Sequence, residues 1–291
     1  MQNLSAATSQ TSNSEARITK IIRPPTFNPL AAARHIGEFS AYIDLFLTLS
    51  LHRIQVRYKQ SVLGIAWAIL QPVSLMLIYI AIFSIVTQMP SEGIPYAVFV
   101  YAALLPWTYF STAVSAATSS LVSHQQMVTK VYFPREILPL SYVVVGIFDF
   151  IIATSVLACL MIYYHVAVSL IILWVVPILV VETMFIVALS LLFSAVQVQF
   201  RDLGFAMPLV MQLWMFATPV VYPLSKVPAR FRSLYILNPM VGVVENFRHV
   251  VLQRISVDAP SLWISFGISA LLLVLSYAYF KHKEATMADV I

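Results

Sequence analysis

Long runs of residues without charge limit what this chain can fold into more than any other feature. Only 10% of its 291 residues are charged and 60% are hydrophobic, whereas soluble domains carry roughly 25% charged residues. A helix that crosses a bilayer needs about 20 residues, and no stretch shows the short alternating segments of a membrane barrel. The sequence therefore predicts an all-α polytopic membrane protein. Its six predicted transmembrane helices cover residues 62–86, 96–122, 137–164, 170–200, 203–222 and 262–280.

The distribution of positive charge predicts the orientation of these spans. With the N-terminus in the cytoplasm, twelve Lys and Arg residues fall in cytoplasmic segments and five in the outer segment 223–261. Cationic side chains concentrate on the cytoplasmic side of membrane proteins, so we expect both termini in the cytoplasm. The same rule explains the net charge of +5, so we predict no nucleic-acid partner. We expect membrane lipids to contact the chain instead.

Three domains and two special segments are predicted along the chain. Residues 1–37 are polar and are predicted to be a disordered cytoplasmic tail, 38–280 the six-span domain, and 281–291 a short cytoplasmic tail. Polar residues at helical spacing before the first span predict an amphipathic helix at the cytoplasmic interface. The apolar stretch 235–251 is interrupted by Asn, Pro, Gly, Glu and Arg, which predicts short re-entrant or gate helices between spans five and six.

The residue types that carry catalysis or bind nucleotides are absent or scattered. The sequence has no phosphate-binding Gly-x-x-x-x-Gly-Lys-Ser/Thr loop and no paired histidines on any predicted span, so we expect no catalytic residues, no metal site and no cofactor bound by this chain. If ATP drives it, ATP and Mg²⁺ must bind to a separate ATPase subunit. The acids Asp149 and Glu182 lie inside predicted spans, where ionisable groups are costly and usually functional.

Five motifs together resemble the membrane subunit of ABC polysaccharide exporters, in the branch that exports O-antigen and teichoic-acid polymers. They are RYKQSVLGIAWAILQP (57–72), YAALLPWTYFS (101–111), VTKVYFPREILPL (128–140), VQFRDLG (198–204), and the TPVVYPLSKVP and LNPM segments within 218–240. The resemblance extends from about residue 38 to 280 in the family's order.

The resemblance implies a homodimer of this permease with two copies of an ATP-binding subunit, located in the inner membrane and exporting a polyprenyl-diphosphate-linked polysaccharide. An interface helix near 43–59 and a coupling helix near 123–132 would contact that ATPase, and cations of the interface helix would also attract the diphosphate. The implied ATPase-docking residues are Asp44, His52, Arg53, Arg57, Lys59, His124, Gln125, Lys130, Tyr132, Arg201 and Asp202.

Spans one, two and five would surround the channel, and the segment between spans five and six would form its outer gate. The implied channel-lining residues are Trp67, Tyr79, Phe83, Tyr101, Trp107, Trp214 and Phe216, and the implied outer-gate residues are Tyr222, Pro223, Asn238, Pro239 and Glu245. Two alternatives stay open: an ABC exporter of a lipid or drug, and an ion-coupled carrier that uses Asp149 and Glu182.

Overall fold

A computed structural model describes residues 42–59, 63–86, 93–253 and 255–291, so the predicted 1–37 tail lies outside the described residues. All regular elements within these ranges are helical. The α-helices are α1 Ile43–Lys59, α2 Ala66–Tyr79, α3 Tyr96–Thr118, α4 Ser120–Ser123, α5 Gln125–Lys130, α6 Ile137–Tyr163, α7 Val175–Gln199, α8 Asp202–Phe216, α9 Ala229–Ile236, α10 Pro239–Arg248 and α11 Ala259–Val290.

Five helical segments among the described residues are long and apolar enough to cross a membrane. They begin at Ala66, Tyr96, Ile137, Leu170 and Ala259, which confirms the all-α polytopic fold. The segment predicted as span five forms α8, which has 15 residues. At 1.5 Å per residue α8 is about 22 Å long, shorter than the hydrocarbon core of about 30 Å. The count of six spans therefore stays a prediction.

Helix α3 is the centre of the bundle. Every residue from Val98 to Leu105 is at most 1% exposed, because α2, α6, α7, α8 and α10 all pack around it. Small residues permit this close approach of helices in a membrane: an added Cβ at Gly146 of α6 would lie 2.9 Å from the Tyr109 ring of α3. Residues 98–105 of span two therefore have no open face within one chain, whereas Thr108, Ser111 and Thr112 further along the helix are partly exposed.

The first transmembrane helix starts after a sharp turn. Gly64 has φ +49°, a left-handed conformation that glycine adopts at little cost, and it separates α1 from α2. Pro72 lies inside α2, and the last part of this span, Ile80–Val86, is a π-helix. Such π segments are often functional. The helix predicted before span one is present as α1, while its position at the membrane interface stays a prediction.

Two short helices, α9 and α10, lie between α8 and α11, where the interrupted apolar stretch predicted them. Helix α9 has no buried residue, whereas nine of the ten residues of α10 are buried. A second π-helix, His249–Gln253, continues α10. The segment 281–291, predicted as a short tail, instead continues α11 as a helix to Val290.

Candidate functional site

The candidate docking surface consists of α4, α5, residues 131–136 and the end of α11. We name it the inner platform because the orientation predicted from the positive charges places it on the cytoplasmic side. Val128 and Phe133 are 2% and 4% exposed, and they pack in one apolar cluster with Met287 of α11. Val131 and Tyr132 lie between these two anchors and project outward, with Tyr132 88% exposed. A large aromatic ring that projects from a segment anchored in the core is suited to insert into a pocket of a partner protein.

An ion-pair cluster fastens the inner platform to α11. Lys281 Nζ lies 2.7 Å from Glu136 Oε1 and 2.9 Å from Glu284 Oε2. The backbone N–H of Arg135 donates to Glu284 Oε1 at 3.0 Å, and the Arg135 guanidinium donates to the Glu284 carbonyl. Burial raises the pKa of Glu136, the neighbouring Glu284 carboxylate adds to this, and Lys281 opposes it. Sequence reasoning missed this cluster, because partners 145 residues apart leave no local pattern.

Helix α1 is held against α6 by its two arginines. The Arg53 guanidinium lies 3.9 Å above the Tyr142 ring, and burial lowers its pKa. Arg57 Nη1 lies 2.9 Å from Asp149 Oδ2, and the Tyr58 hydroxyl donates to the other carboxylate oxygen. Burial, with Asp149 adding to it, raises the pKa of Tyr58. Asp149 is thus a partner in an interhelical contact.

The predicted docking residues do not form one cluster. Residues at the start of α1 pack on the apolar cluster that underlies the inner platform, and His124, Gln125 and Lys130 lie in or next to α5 within the platform itself. Arg57 instead meets α6 twelve residues past its start, about 18 Å along that helix. Four further predicted docking residues are exposed: His52 in the middle of α1, Lys59 at its end, and Arg201 and Asp202 at the start of α8.

Two of the predicted docking residues, His124 and Arg201, form hydrogen bonds to backbone carbonyls. His124 Nδ1 donates to the Ser120 carbonyl at 2.9 Å, and burial lowers the pKa of this imidazole. Arg201 Nη2 donates to the Ile291 carbonyl at 3.0 Å, so the turn before α8 meets the end of α11. A role for any of these residues in binding an ATPase stays a prediction.

The aromatic residues predicted to line the channel occupy two different environments. Tyr101 and Trp107 are 0% and 3% exposed in the middle of the chain's core, and neither reaches a surface in this conformation. Tyr79 is buried, and its hydroxyl contacts Met215 Sδ at 3.4 Å. The remaining four are Phe83 and Trp214, which are partly buried, and Trp67 and Phe216, which are exposed. Their assignment to a channel wall stays a prediction.

Asn238 organises the predicted outer gate. Its Oδ1 accepts hydrogen bonds from Trp214 Nε1 at 3.2 Å and from the Met240 backbone N–H at 3.2 Å, and its Nδ2 donates to Thr218 Oγ1 at 3.0 Å. Asn238 is therefore the N-cap of α10, and Pro239 follows at the first helical position, where a proline costs no hydrogen bond. One side chain connects the end of α8 to the start of α10.

The other predicted gate residues lie in the loop after α8 and in α10. The Tyr222 hydroxyl donates to the Phe216 carbonyl at 2.7 Å and lies 3.1 Å from the Tyr235 hydroxyl of α9. Pro223 is buried, and Glu245 pairs with Arg248 at 3.3 Å. Arg248 donates to the Tyr222 carbonyl at 3.5 Å and so links Tyr222 to Glu245, while the gate role of these residues stays a prediction.

Arg248 is the buried centre of this outer group and was missed in the sequence. It is 1% exposed, with its guanidinium 3.8 Å above the Phe99 ring. It donates to the carbonyls of Phe99 and Val220, so one cation joins α3, α10 and the loop after α8. The sequence did show that Arg248 lies within an apolar stretch, and a buried arginine requires hydrogen-bond or charged partners.

The two intramembrane acids differ in their surroundings. Asp149 has the two partners described above. Glu182 on α7 is 0% exposed, and neither of its carboxylate oxygens has a hydrogen-bond partner in the described part of the chain. No group of three or more metal-ligating side chains occurs among the described residues.

This all-helical bundle, with long apolar helices, an inner platform and an outer group of short helices, is that of an integral membrane transport subunit. The chain belongs to the ABC-2 type transporter family, whose profile matches residues 44–252. It is 32% identical over 259 residues to the O-antigen export system permease protein RfbA of Myxococcus xanthus, which covers 88% of this chain and 98% of that protein.

Further relatives have the same kind of name. An O-antigen export system permease protein RfbA of Klebsiella pneumoniae is 27% identical over 249 residues, covering 85% of this chain and 95% of that protein. The polysialic acid transport protein KpsM of Escherichia coli is 23% identical over 249 residues, covering 82% and 93%. The resemblance drawn from the five motifs is confirmed at the level of the family.

Proposed function

We propose that this chain is the transmembrane subunit of an ATP-driven exporter that moves an O-antigen-like polysaccharide, linked to a polyprenyl diphosphate, across the inner membrane. The observation that carries the proposal is its likeness, over 88% of its length, to an O-antigen export permease. Two copies form the channel with two separate ATPase subunits, which bind ATP and Mg²⁺. Both termini lie in the cytoplasm.

The inner platform supports the proposed ATPase contact. Tyr132 and Val131 are 88% and 55% exposed, while their neighbours Val128 and Phe133 are fixed in the core. Large apolar side chains at a water-facing bend need a cover, and a cytoplasmic ATPase supplies it. The ion pairs of Lys281 make the platform rigid, so that a movement of the ATPase is transmitted to α6 and α11.

The exposed faces of α2 and α8 support the proposed dimer channel. Helix α2 exposes Trp67 at 52%, and α8 exposes Phe216 at 47%. Each face also carries an exposed amide, Gln71 on α2 and Gln212 on α8. Amides inside a membrane favour contact with protein, water or a polar substrate over lipid. A second copy packed on these faces would enclose aromatic and amide side chains suited to a passing glycan.

The cations of α1 support a contact with the diphosphate. The Arg53 guanidinium lies against the Tyr142 ring with its Nε and Nη2 atoms buried, whereas Lys59 is exposed. Arg57 is already paired with Asp149. We therefore assign the attraction of the diphosphate to Lys59 before Arg53 and Arg57.

A gene deletion combined with purification tests the proposal. Cells without this chain are expected to accumulate the lipid-linked glycan on the cytoplasmic side, and the purified chain is expected to carry an ATP-binding subunit whose hydrolysis is lost when its phosphate-binding lysine is changed. An ATPase partner without glycan accumulation would instead indicate an exporter of a lipid or drug. A second candidate is the ion-coupled carrier, favoured by the buried Glu182 carboxylate, which has no hydrogen-bond partner among the described residues. Export that stops when the proton gradient is collapsed at normal ATP would support it.

A further inference from the structure

Helix α9 and the turn before it form a basic surface, which lies on the outer side of the membrane under the orientation proposed above. Residues 223–244 contain three cations, Lys226, Arg230 and Arg232, and no acid. Lys and Arg normally concentrate on the cytoplasmic side of a membrane protein, so three cations on one outer element require a specific reason. Arg248 of the same outer segment is used inside the chain, whereas no residue of α9 is buried.

One side of α9 is attached to the rest of the chain. The Tyr235 hydroxyl lies 3.1 Å from the Tyr222 hydroxyl. The Arg232 guanidinium donates to the carbonyls of Val227 and Ser225 at 3.2 Å and 3.1 Å, and the helix also packs against α10 and α11. These contacts fix which side of α9 faces away from the protein.

The outward side of α9 combines leucines with a cation. At about 100° per residue, Arg230, Leu234 and Leu237 lie on the side of the helix opposite Arg232. Leu234 and Leu237 are 65% and 58% exposed, and the adjacent Phe231 is 44% exposed. Helices that present Phe and Leu together with Lys or Arg lie in the membrane interface, where an arginine among leucines extends its guanidinium to the headgroups.

The position of α9 in the bundle agrees with an interfacial site. Asn246 Nδ2 of α10 donates to Ser261 Oγ, near the start of α11, at 2.9 Å, so the two short helices lie at that end of α11. Trp263 follows on α11 and is 69% exposed. Exposed tryptophans of membrane proteins concentrate at the level of the headgroups.

Charge complementarity selects the ligand of this surface. None of the three cations has a carboxylate partner within the described ranges. A second copy would present the same cations to this surface, and like charges repel across a symmetric contact. An anionic phospholipid satisfies both requirements, because its phosphate matches the cations and its acyl chains cover the leucines.

We propose that α9 lies in the outer headgroup layer and binds an anionic phospholipid, with Lys226 and Arg230 on its phosphate and Leu234 and Leu237 against its acyl chains. The inference rests on the proposed orientation of the chain. It adds a lipid contact to the predicted outer gate, because α9 touches the gate residue Tyr222.

Local fluorescence quenching tests this contact. We would label Leu234→Cys in a Cys159→Ser background with an environment-sensitive dye and place the purified full chain in phosphatidylcholine nanodiscs. Phosphatidylglycerol with brominated acyl chains is expected to quench the dye more strongly than brominated phosphatidylcholine at the same mole fraction. Adding Lys226→Gln and Arg230→Gln should raise the mole fraction for half-maximal quenching roughly 25-fold, at about fivefold for each cation near an anionic headgroup.

Two matched variants separate charge from structure. Lys226→Arg with Arg230→Lys keeps both charges, and its quenching curve is expected to match that of the labelled parent. Ser233→Cys places the dye on the side of α9 away from Phe231, where weak quenching is expected. Unchanged quenching after the two glutamine substitutions, or an equal loss in the charge-preserving variant, would overturn the inference. A disulfide between two copies of Leu234→Cys would overturn it as well, in favour of a second copy on this surface.

The outcomes also separate this inference from the proposed function. The quenching assay requires neither ATP nor glycan, so equal quenching by the two brominated lipids would overturn the lipid site, while cells that export the glycan would leave the proposed function standing. Ser233→Cys that reacts with an impermeant thiol reagent only in inverted vesicles would overturn the proposed orientation, and the outer lipid site with it.

Discussion

The Lys281 cluster gives a sharp test of how the inner platform is held. In Lys281→Met, the Glu136 and Glu284 carboxylates lose the cation that they share, and the Glu136 side chain is only 4% exposed. Removing one partner of a buried pair costs about 3–5 kcal/mol. Because the Lys281 side chain is 15% exposed and Glu136 can take up a proton, we expect about 3 kcal/mol. At about 2–4 °C per kcal/mol for a large domain, Tm should fall by roughly 6–12 °C.

The assay should follow intrinsic tryptophan fluorescence during heating of the purified transporter. The chain has five tryptophans, and a thiol dye would react with Cys159, which is exposed in the folded chain. Lys283→Met is the matched control, because it removes the same charge two residues away without breaking an ion pair found among the described residues. An unchanged Tm in Lys281→Met, or an equal fall in Lys283→Met, would refute the structural role of the cluster.

The same cluster predicts a pH dependence with a definite sign. Burial raises the pKa of Glu136 in the folded chain, so between its unfolded and folded pKa values the folded state binds more protons. Stability should therefore fall as pH rises through this window. In Lys281→Met the cation that lowers the pKa of Glu136 is gone, so the loss of stability with rising pH should be steeper and should continue to higher pH. Glu136→Gln has no carboxyl group at this position, so this pH dependence of stability should disappear. A flatter profile in Lys281→Met would contradict the assignment.

Three further results are expected. Tyr132→Ala should weaken copurification of the ATPase and reduce export with Tm unchanged, because the ring is 88% exposed; a loss of Tm with normal copurification would contradict this. Arg248→Met should destabilise the chain by about 3–5 kcal/mol, since Glu245 and several carbonyls lose a buried partner, and Tm close to that of wild type would be the contrary result. Export at normal ATP should continue after the proton gradient is collapsed, both in the wild type and in Glu182→Gln, and a wild-type export that stops on collapse would favour ion coupling.

The apolar runs were sufficient to predict the fold class, because lipid admits so few alternatives. The spacing of polar residues also located α1, and the interruptions of the apolar stretch 235–251 indicated short helices between α8 and α11. These patterns could not locate the Lys281 cluster, Arg248 or the partners of Asp149, since each joins residues far apart in sequence. The sequence also could not show that Tyr101 and Trp107 lie inside the bundle while Trp67 lies outside, because these aromatic residues all stand in long apolar runs without a polar face beside them to mark the outside.

The burial of α3 on every side has a consequence for how this chain can vary. A helix that faces lipid on one side accepts apolar exchanges there and resists them only along its packed stripe, which gives variation a period of 3.6 residues. Residues 98–105 have no such permissive side, and in so dense an interior even one added methylene is felt. Substitutions at residues 98–105 of α3 should therefore preserve side-chain volume at every position. The outer faces of α6, α7 and α11 should instead tolerate exchanges among apolar residues of different size.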